Sequence, residues 1–311
     1  MARPRSRAVD FLVYLALRVF VCVGQSVSWS TAIACSRTLA WIVHRLDHRH
    51  RKVAEENIRY AFPELDDAGV DALTRRSYEH LLEMAVEIIR MPRTLHLSNI
   101  YDYLHYAQPG QLEQAIAFAQ KPRPRLLLTG HFGNWEVISY AVGLVGFRGS
   151  VIARKIDNPY IDQFVRDFRR KTGQEILDKS LDYAKMLDVM SKNGALGMVG
   201  DQDAGPRGLF VPFMGRPAST YKSIALMSLE FSAPILIMAA ARIGSPLQYR
   251  LYVEDQIEPT ELANDPDPVR TITRRYAEAM ERVVRRHPEQ YFWVHRRWKH
   301  QPKEAKKKNA A

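Results

Sequence analysis

The fold class of this chain is decided by Leu126-Leu127-Leu128-Thr129-Gly130-His131-Phe132-Gly133-Asn134-Trp135-Glu136. A short apolar run, typical of a buried strand, ends at Gly130, and a helix is predicted to begin near Asn134. A strand that passes directly into a helix is the repeating unit of α/β proteins. The stretch therefore predicts an α/β layer fold.

The rest of the chain supports the same fold class. Downstream, strands are predicted at 151–153, 195–199, 235–241 and 249–253. Helices are predicted to alternate with them, at 159–171, 224–231 and 269–286. Upstream, helical patterns over 47–62 and 67–90 predict a helical cap at 47–120. We therefore expect one α/β domain, 47–300, in which a central mixed sheet is flanked by helices.

The composition is that of a globular protein. Of the 311 residues, 46% are hydrophobic and 25% are charged, which excludes disorder as the main state of the chain. Two cysteines, Cys22 and Cys35, are too few for a disulfide framework or for a zinc site of their own. We therefore expect chemistry that needs neither a metal nor a cofactor.

Positive charge is concentrated at the two ends of the chain. The formal net charge is +11, of which residues 1–9 carry +3 and residues 296–311 carry +6. Two basic ends suit an anionic surface, either lipid headgroups or nucleic acid. Solvated tails that only improve solubility are the alternative. The basic C-terminal tail is assigned to 301–311.

Residues 1–46 are predicted to form a basic and apolar membrane-anchoring segment. The apolar run from Phe11 to Gly24 is interrupted by Arg18, which is costly at the centre of a membrane span. The segment therefore predicts either a poor spanning helix or a helix that lies in the membrane interface. A signal peptide, or a buried helix of a soluble protein, would also be compatible with this run. The arginines ahead of the run favour a cytoplasmic N-terminus.

His131 and Glu136 are the candidate catalytic pair. A histidine at the carboxyl end of a strand lies where open α/β sheets bind their ligands. With His131 in the turn and Glu136 in the first turn of the helix, the carboxylate can fold back to one imidazole nitrogen. The other nitrogen would take a proton as a general base, and the nucleophile would be a hydroxyl of the substrate. Purely structural roles for a turn histidine and a first-turn acid are the alternative.

Two further polar stretches follow predicted strand ends. Arg154 comes directly after the strand at 151–153 and suits a phosphate or an oxyanion. The strand at 195–199 passes into Gly200-Asp201-Gln202-Asp203-Ala204-Gly205-Pro206-Arg207-Gly208, which carries more polar groups than an ordinary turn needs. Both stretches are therefore candidate parts of a binding site.

These blocks resemble those of the lipid A biosynthesis-type (lysophospholipid) acyltransferase family. That family includes the late lipid A acyltransferases and relatives that acylate mannosylated phosphatidylinositol. The resemblance rests on Gly130 to Glu136, on Arg154 with Asn158-Pro159, and on Asp201 to Ala218. Stretches near Asn57 and from Tyr291 to Trp298 look like that family too. The similarity covers nearly the whole chain, and the ordered set of blocks is far more specific than His-x-x-x-x-Glu alone.

The resemblance implies a membrane-associated acyltransferase with a glycerolipid-acyltransferase-like α/β core. His131 would be the general base and Glu136 its partner, while a lipid hydroxyl attacks a fatty acyl thioester on acyl carrier protein or coenzyme A. A lipid A-type acceptor is favoured over a lysophospholipid. Substrate contacts are expected from six residues: Asn134, Arg154, Asp201, Gln202, Asp203 and Arg207. The expected location is the cytoplasmic face of the inner (plasma) membrane.

The alternatives to an acyltransferase are a nucleic-acid-binding protein and a hydrolase. A basic nucleic-acid-binding protein with an α/β core would account for the charged ends, and Trp293 and Trp298 could stack on bases. The charge is confined to the ends, however, and no known nucleic-acid-binding motif is present, so no nucleic acid partner is expected. A hydrolase of the nucleophile-elbow type would need Gly-x-Ser-x-Gly, which the sequence lacks.

Overall fold

The computed structural model describes residues 6–179, 181–244 and 246–302. Arg3, Arg5 and most of the predicted basic tail lie outside the described residues.

The described residues form eleven α-helices, two short 3-10 helices and nine strands. The α-helices are α1 (Arg7–Ser26), α2 (Trp29–Leu46), α3 (His48–Ala61), α4 (Asp67–Thr94), α5 (Ile100–Tyr103), α6 (Gln111–Gln120), α7 (Trp135–Leu144), α8 (Pro159–Arg170), α9 (Tyr183–Ser191), α10 (Ser223–Glu230) and α11 (Pro268–Arg286). The strands are β1 (Leu104–Tyr106), β2 (Arg125–Thr129), β3 (Ser150–Ala153), β4 (Glu175–Asp178), β5 (Ala195–Val199), β6 (Leu209–Phe213), β7 (Arg216–Thr220), β8 (Ile235–Arg242) and β9 (Tyr249–Ile257). The 3-10 helices are Pro259–Leu262 and Pro288–Gln290.

Seven of the strands form one mixed sheet, in the order β1-β9-β8-β2-β5-β3-β4. β8 and β9 pair antiparallel, and the other neighbours in this sheet pair in parallel. β6 and β7 form a separate antiparallel hairpin. The predicted α/β class, with a central mixed sheet flanked by helices, is therefore confirmed. The predicted strands are present as β2, β3, β5, β8 and β9.

Three short features differ from the sequence prediction. No strand is predicted at β4 or in the hairpin β6–β7, and β1 lies inside the stretch predicted as a helical cap. β1 has three residues and pairs with β9, which follows it by more than a hundred positions in the sequence. A strand of three residues carries too few alternating positions for a pattern to be detected, so tertiary pairing decides β1.

Apolar residues pack on both faces of the central strand β2. Leu126 and Leu128 belong to a large cluster with residues of α9, α10 and α11, whereas Leu127 packs in a separate cluster beside Phe118 and Met238. This alternation follows from the pleat of a strand, which directs successive side chains to opposite faces. The site described below lies at the carboxyl end of this doubly covered strand.

The N-terminal helices α1 and α2 pack against α4. Arg90 of α4 donates hydrogen bonds to the carbonyls of Gly24 at 2.9 Å and Val27 at 2.7 Å. α1 is long and apolar enough to cross a membrane. An 18-residue stretch of it has a mean hydropathy of 1.7, and 11% of that stretch is buried. It is therefore not the buried core helix of a soluble protein, although a signal sequence would meet the same criteria.

Candidate active site

His131 lies in the turn between β2 and α7, at the carboxyl end of β2. The turn requires glycine at position 133, because Gly133 has a φ of +55° and a Cβ atom there would lie 1.8 Å from the carbonyl oxygen of Ala240. The backbone N–H of Gly133 donates to the carbonyl of Gln290 at 2.8 Å. The N–H of Phe292 donates to the carbonyl of His131 at 3.0 Å. These contacts hold the turn that presents the imidazole.

The carboxylate partner of His131 is Asp201. His131 Nδ1 and Asp201 Oδ1 lie 2.7 Å apart, and the backbone N–H of His131 donates to Asp201 Oδ2 at 2.8 Å. Burial alone would raise the pKa of Asp201, but the attraction of His131 and its hydrogen bonds outweigh burial and lower that pKa below its usual value. An ionised Asp201 accepts a hydrogen bond from Nδ1, so the proton of the neutral imidazole lies on Nδ1. Nε2 then carries no proton and can act as a base.

The pairing of β2 with β5 explains why these two residues meet. Thr129 lies opposite Val199 in the parallel register. His131 and Asp201 each follow two residues beyond that pair, so both emerge at the same edge of the sheet. The contact between His131 and Asp201 therefore follows from the pairing of β2 with β5. It does not depend on how residues are spaced between Gly130 and Glu136.

Glu136 has a different partner from the one expected. The sequence predicts a contact between the Glu136 carboxylate and His131, and the structure corrects that expectation. Both oxygens of Glu136 accept hydrogen bonds from Arg169 of α8, with Nε to Oε2 at 3.0 Å. In the first turn of α7, Glu136 faces α8, while Asp201 occupies Nδ1 of His131. Glu136 and Arg169 still line the same cavity as His131.

The predicted substrate residues after β5 separate into three kinds. Gln202 lines the cavity, and its Nε2 lies 3.4 Å from His131 Nε2. Asp203 is held inside the protein, because its Oδ2 lies 2.7 Å from His300 Nδ1 and its N–H donates to His295 Nε2 at 3.0 Å. Arg207 is exposed in the loop that leads to β6.

Arg154 and Asn134 also differ in position. Arg154 lines the cavity at its rim, where its side chain is 85% exposed and lies 3.7 Å from Asp157. Asn134 is fully buried, accepts the N–H of Val137 at 3.2 Å and donates to the hydroxyl of Tyr249 at 3.0 Å. Asn134 therefore caps α7 and supports the turn from behind, away from the cavity lining.

The segment from Tyr291 to Trp298 braces the site, a role that was not predicted from the sequence. Arg297 belongs to a basic end by sequence, but it is 2% exposed and donates to the carbonyl of Ser219 at 2.6 Å and the hydroxyl of Thr220 at 2.8 Å. Its positive charge also helps to lower the pKa of Asp201. The density of aromatic residues around Arg297 was the available signal that this segment is buried.

The cavity beside His131 has a volume of about 740 Å³ and mostly apolar walls. β3 and β5 pair at Val151 and Gly197. From this pair to their carboxyl ends, both strands line the cavity. A crevice at the carboxyl ends of such strands is the usual ligand site of open α/β sheets. Its polar or charged lining includes His131, Glu136, Arg154, Arg169, Lys179 and Gln202. The arrangement combines a base, an apolar chamber and cations.

Comparison with known proteins identifies the family. Residues 2–300 match the family described as bacterial lipid A biosynthesis acyltransferase. The chain is similar to the lipid A biosynthesis lauroyltransferase of Escherichia coli (strain K12), with 24% identity over 272 residues, which are 83% of this chain and 82% of the relative. It is also similar to a lipid A biosynthesis acyltransferase of Haemophilus influenzae, with 22% identity over 270 residues, which are 84% and 81% of the two chains.

These similarities confirm the resemblance found in the sequence, and they favour acyl transfer over hydrolysis and over nucleic-acid binding. The chain therefore belongs to the bacterial lipid A biosynthesis acyltransferase family and is an acyltransferase.

Proposed function

We propose that this acyltransferase moves a fatty acyl chain from a thioester donor to a hydroxyl of a lipid A-type glycolipid, with His131 as the general base. The observation that carries the proposal is the 2.7 Å contact between His131 Nδ1 and the buried Asp201, beside a largely apolar cavity of about 740 Å³. A histidine held by a carboxylate suits removal of a proton from a hydroxyl. An apolar chamber suits a fatty chain. The names of the two relatives support a lipid A-type acceptor.

The reaction needs no nucleophile from the protein. The acceptor hydroxyl oxygen attacks the thioester carbonyl carbon while His131 Nε2 takes the hydroxyl proton. Asp201 stabilises the imidazolium that results and keeps the ring in place, so it is a positioning residue. When the tetrahedral intermediate collapses, the carbon–sulfur bond breaks and the imidazolium returns its proton to the departing thiolate.

Charged residues at the cavity suit the phosphates of the substrates. Arg154 is exposed at the rim, and the cavity lining also includes Lys179, whose ammonium lies 3.8 Å from the centre of the Tyr221 ring. Acyl carrier protein and coenzyme A present the thioester on the same phosphopantetheine arm, so either donor would place a phosphate near these cations. We propose Arg154 as a contact for a phosphate of the donor or the acceptor.

We further propose that the protein works at the cytoplasmic face of the inner membrane. The apolar and largely exposed α1 supports an attachment to the membrane. α1 also contacts the start of α8, because Asn158 Nδ2 donates to the carbonyl of Asp10 at 2.8 Å. α8 carries Arg169, which lines the cavity. An anchored α1 would therefore hold the cavity close to a lipid acceptor.

The test uses the purified full-length protein, a lipid A precursor that lacks one acyl chain, and matched acyl thioesters of acyl carrier protein and coenzyme A. Mass spectrometry should detect a product heavier by one acyl chain, and the two donors should differ in rate. His131→Ala should lower the rate by about 10²–10⁴-fold at an unchanged melting temperature. The matched control is His48→Ala, an exposed histidine on α3, which should remain active. Near-normal turnover by His131→Ala would rule out the base, and no product with either donor would rule out the reaction.

A further inference from the structure

Acyl transfer builds negative charge on the carbonyl oxygen, and hydrogen-bond donors must stabilise it. Backbone N–H groups commonly supply these donors. In the catalytic turn, several are already used inside the protein. The N–H of His131 donates to Asp201 at 2.8 Å, that of Gly133 to Gln290 at 2.8 Å, and that of Asn134 to Ala240 at 3.3 Å. The cavity lining includes His131 and Trp135 and omits the three residues between them.

The loop after β5 shows the same pattern. The N–H of Asp203 donates to His295 at 3.0 Å, and that of Ala204 donates to the carbonyl of Ser219 at 3.2 Å. The N–H of Gly205 donates to the side chain of Asp203 at 3.2 Å. These six backbone amides on the two loops beside His131 donate inside the protein, which makes a side-chain amide beside the base a candidate donor.

The cations of the cavity lining are less suited to this task than an amide next to the base. Arg169 is held by both oxygens of Glu136. Arg154 is 85% exposed at the rim. Lys179 lies over the ring of Tyr221. Each of them has a position or partner that accounts for its charge.

Gln202 is the side-chain amide beside the base. Its Nε2 lies 3.4 Å from His131 Nε2, which is long for a hydrogen bond and therefore easily replaced. The adjacent residues Asp201 and Gln202 thus contact the imidazole at its two nitrogens. When the acceptor hydroxyl takes the place at His131 Nε2, the amide of Gln202 is released within reach of the reacting carbonyl group.

We propose that the Gln202 side-chain amide donates a hydrogen bond to the oxyanion of the tetrahedral intermediate; this rests on the proposed acyl transfer. As the hydroxyl oxygen bonds to the carbonyl carbon, its proton passes to His131 Nε2 and the carbonyl π electrons move to the oxygen. Gln202 Nε2–H stabilises that oxygen. The oxygen electrons then re-form the carbonyl, the carbon–sulfur bond breaks, and His131 protonates the thiolate. The donor makes this contact most strongly in the transition state, so it should act on kcat.

The test compares three substitutions in the acyl transfer assay. Gln202→Met and Gln202→Glu keep the length of the side chain but remove its N–H donors, and each should lower kcat by about 10²–10³-fold with KM changed less than about twofold. Gln202→Asn keeps a donor on a shorter side chain and should retain a larger share of kcat. Gln114→Glu, at an exposed residue of α6 outside the cavity lining, is the matched control and should be unaffected.

The outcomes separate this inference from the proposed function. If the wild-type protein forms no acylated product, the proposed function fails. If the wild type is active and Gln202→Met keeps its kcat, the oxyanion role alone is overturned. A raised KM at constant kcat also overturns it, because that result marks contact with the bound substrate rather than with the transition state. Melting temperatures of all variants should match the wild type, since the side chain is only partly buried.

Discussion

Asp201 contacts His131 at two points, with Oδ1 2.7 Å from the imidazole Nδ1 and Oδ2 2.8 Å from the backbone nitrogen. One carboxylate therefore sets both the orientation of the ring and the position of the turn that carries it. The two oxygens have separate roles, and the substitution Asp201→Asn, which keeps the shape of the side chain, can separate them.

Asp201→Asn should lower kcat by about 10²–10⁴-fold, because an amide cannot stabilise the imidazolium and can favour the wrong tautomer. The fold should survive, since an amide oxygen can still accept the backbone N–H of His131. The measurement is kcat in the acyl transfer assay together with a thermal melt. Activity within about threefold of the wild type would show that Asp201 has only a structural role.

Glu136 and Arg169 form a largely buried ion pair that lines the cavity. Glu136→Gln should lower the free energy of unfolding by about 3 kcal/mol, because it leaves the guanidinium without a charged partner. The double variant Glu136→Gln/Arg169→Gln should recover much of that loss. The activity of the double variant decides whether Glu136 acts through Arg169 or directly on His131.

If Glu136 acts only by holding Arg169, the double variant should also recover activity relative to Glu136→Gln. If Glu136 serves His131 directly, as the sequence suggests, activity should stay low after stability is restored. Double-mutant cycles of both quantities separate the two roles.

Arg297 is buried below the loop that carries Asp201 and Gln202. Arg297→Met should lower the free energy of unfolding by about 1–3 kcal/mol, because the carbonyl of Ser219 loses its donor. The neighbouring exposed Arg296→Met is the matched control and should change stability little. Urea denaturation measures both, and equal effects would contradict a bracing role for Arg297.

His80 is a buried histidine on α4 whose Nε2 lies 3.1 Å from the carbonyl of Gly133 and whose Nδ1 lies 2.6 Å from Arg242. Burial and the charge of Arg242 lower the pKa of His80 to about 3, from 6.5 in the unfolded chain. The unfolded chain therefore takes up the proton first as the pH falls. The stability that neutral His80 provides is complete above about pH 6.5 and is lost progressively toward pH 3.

Between pH 7.5 and pH 5, the wild type should lose about 2 kcal/mol more stability than His80→Gln, which cannot take up the proton. Urea denaturation at the two pH values measures the difference. His48→Gln, an exposed histidine, should retain the wild-type dependence. Parallel stability curves for the wild type and His80→Gln would show that His80 is not the group responsible.

Attachment to membranes should resist salt. The apolar contact of α1 is not screened by ions, whereas attraction of basic residues to anionic lipids is screened within a Debye length. High salt should therefore leave the full-length protein in the membrane pellet, and deletion of residues 1–35 should release it at any salt. Deletion of residues 301–311 should weaken binding mainly at low salt. Complete release of the full-length protein by salt would mean that its attachment is electrostatic only.

The sequence alone determined the features that depend on local pattern. The run from Leu126 to Thr129 predicts a strand because it is short and apolar, and a helix is predicted to begin near Asn134, where α7 begins at Trp135. The blocks around His131 and Asp201 were recognisable as candidate site segments because polar residues follow buried strands there. The strands β2, β3, β5, β8 and β9, and with them the α/β class, could be predicted from their apolar runs.

Only the tertiary structure decided which side chains meet. Five-residue spacing made Glu136 a reasonable partner for His131, but the parallel pairing of β2 with β5 brings Asp201, seventy positions away, to the imidazole. Arg297 belonged to a basic end by sequence, yet packing of the aromatic segment around it makes it an internal hydrogen-bond donor. Strand order and helix packing set these contacts, and both depend on interactions between distant parts of the chain that no local pattern records.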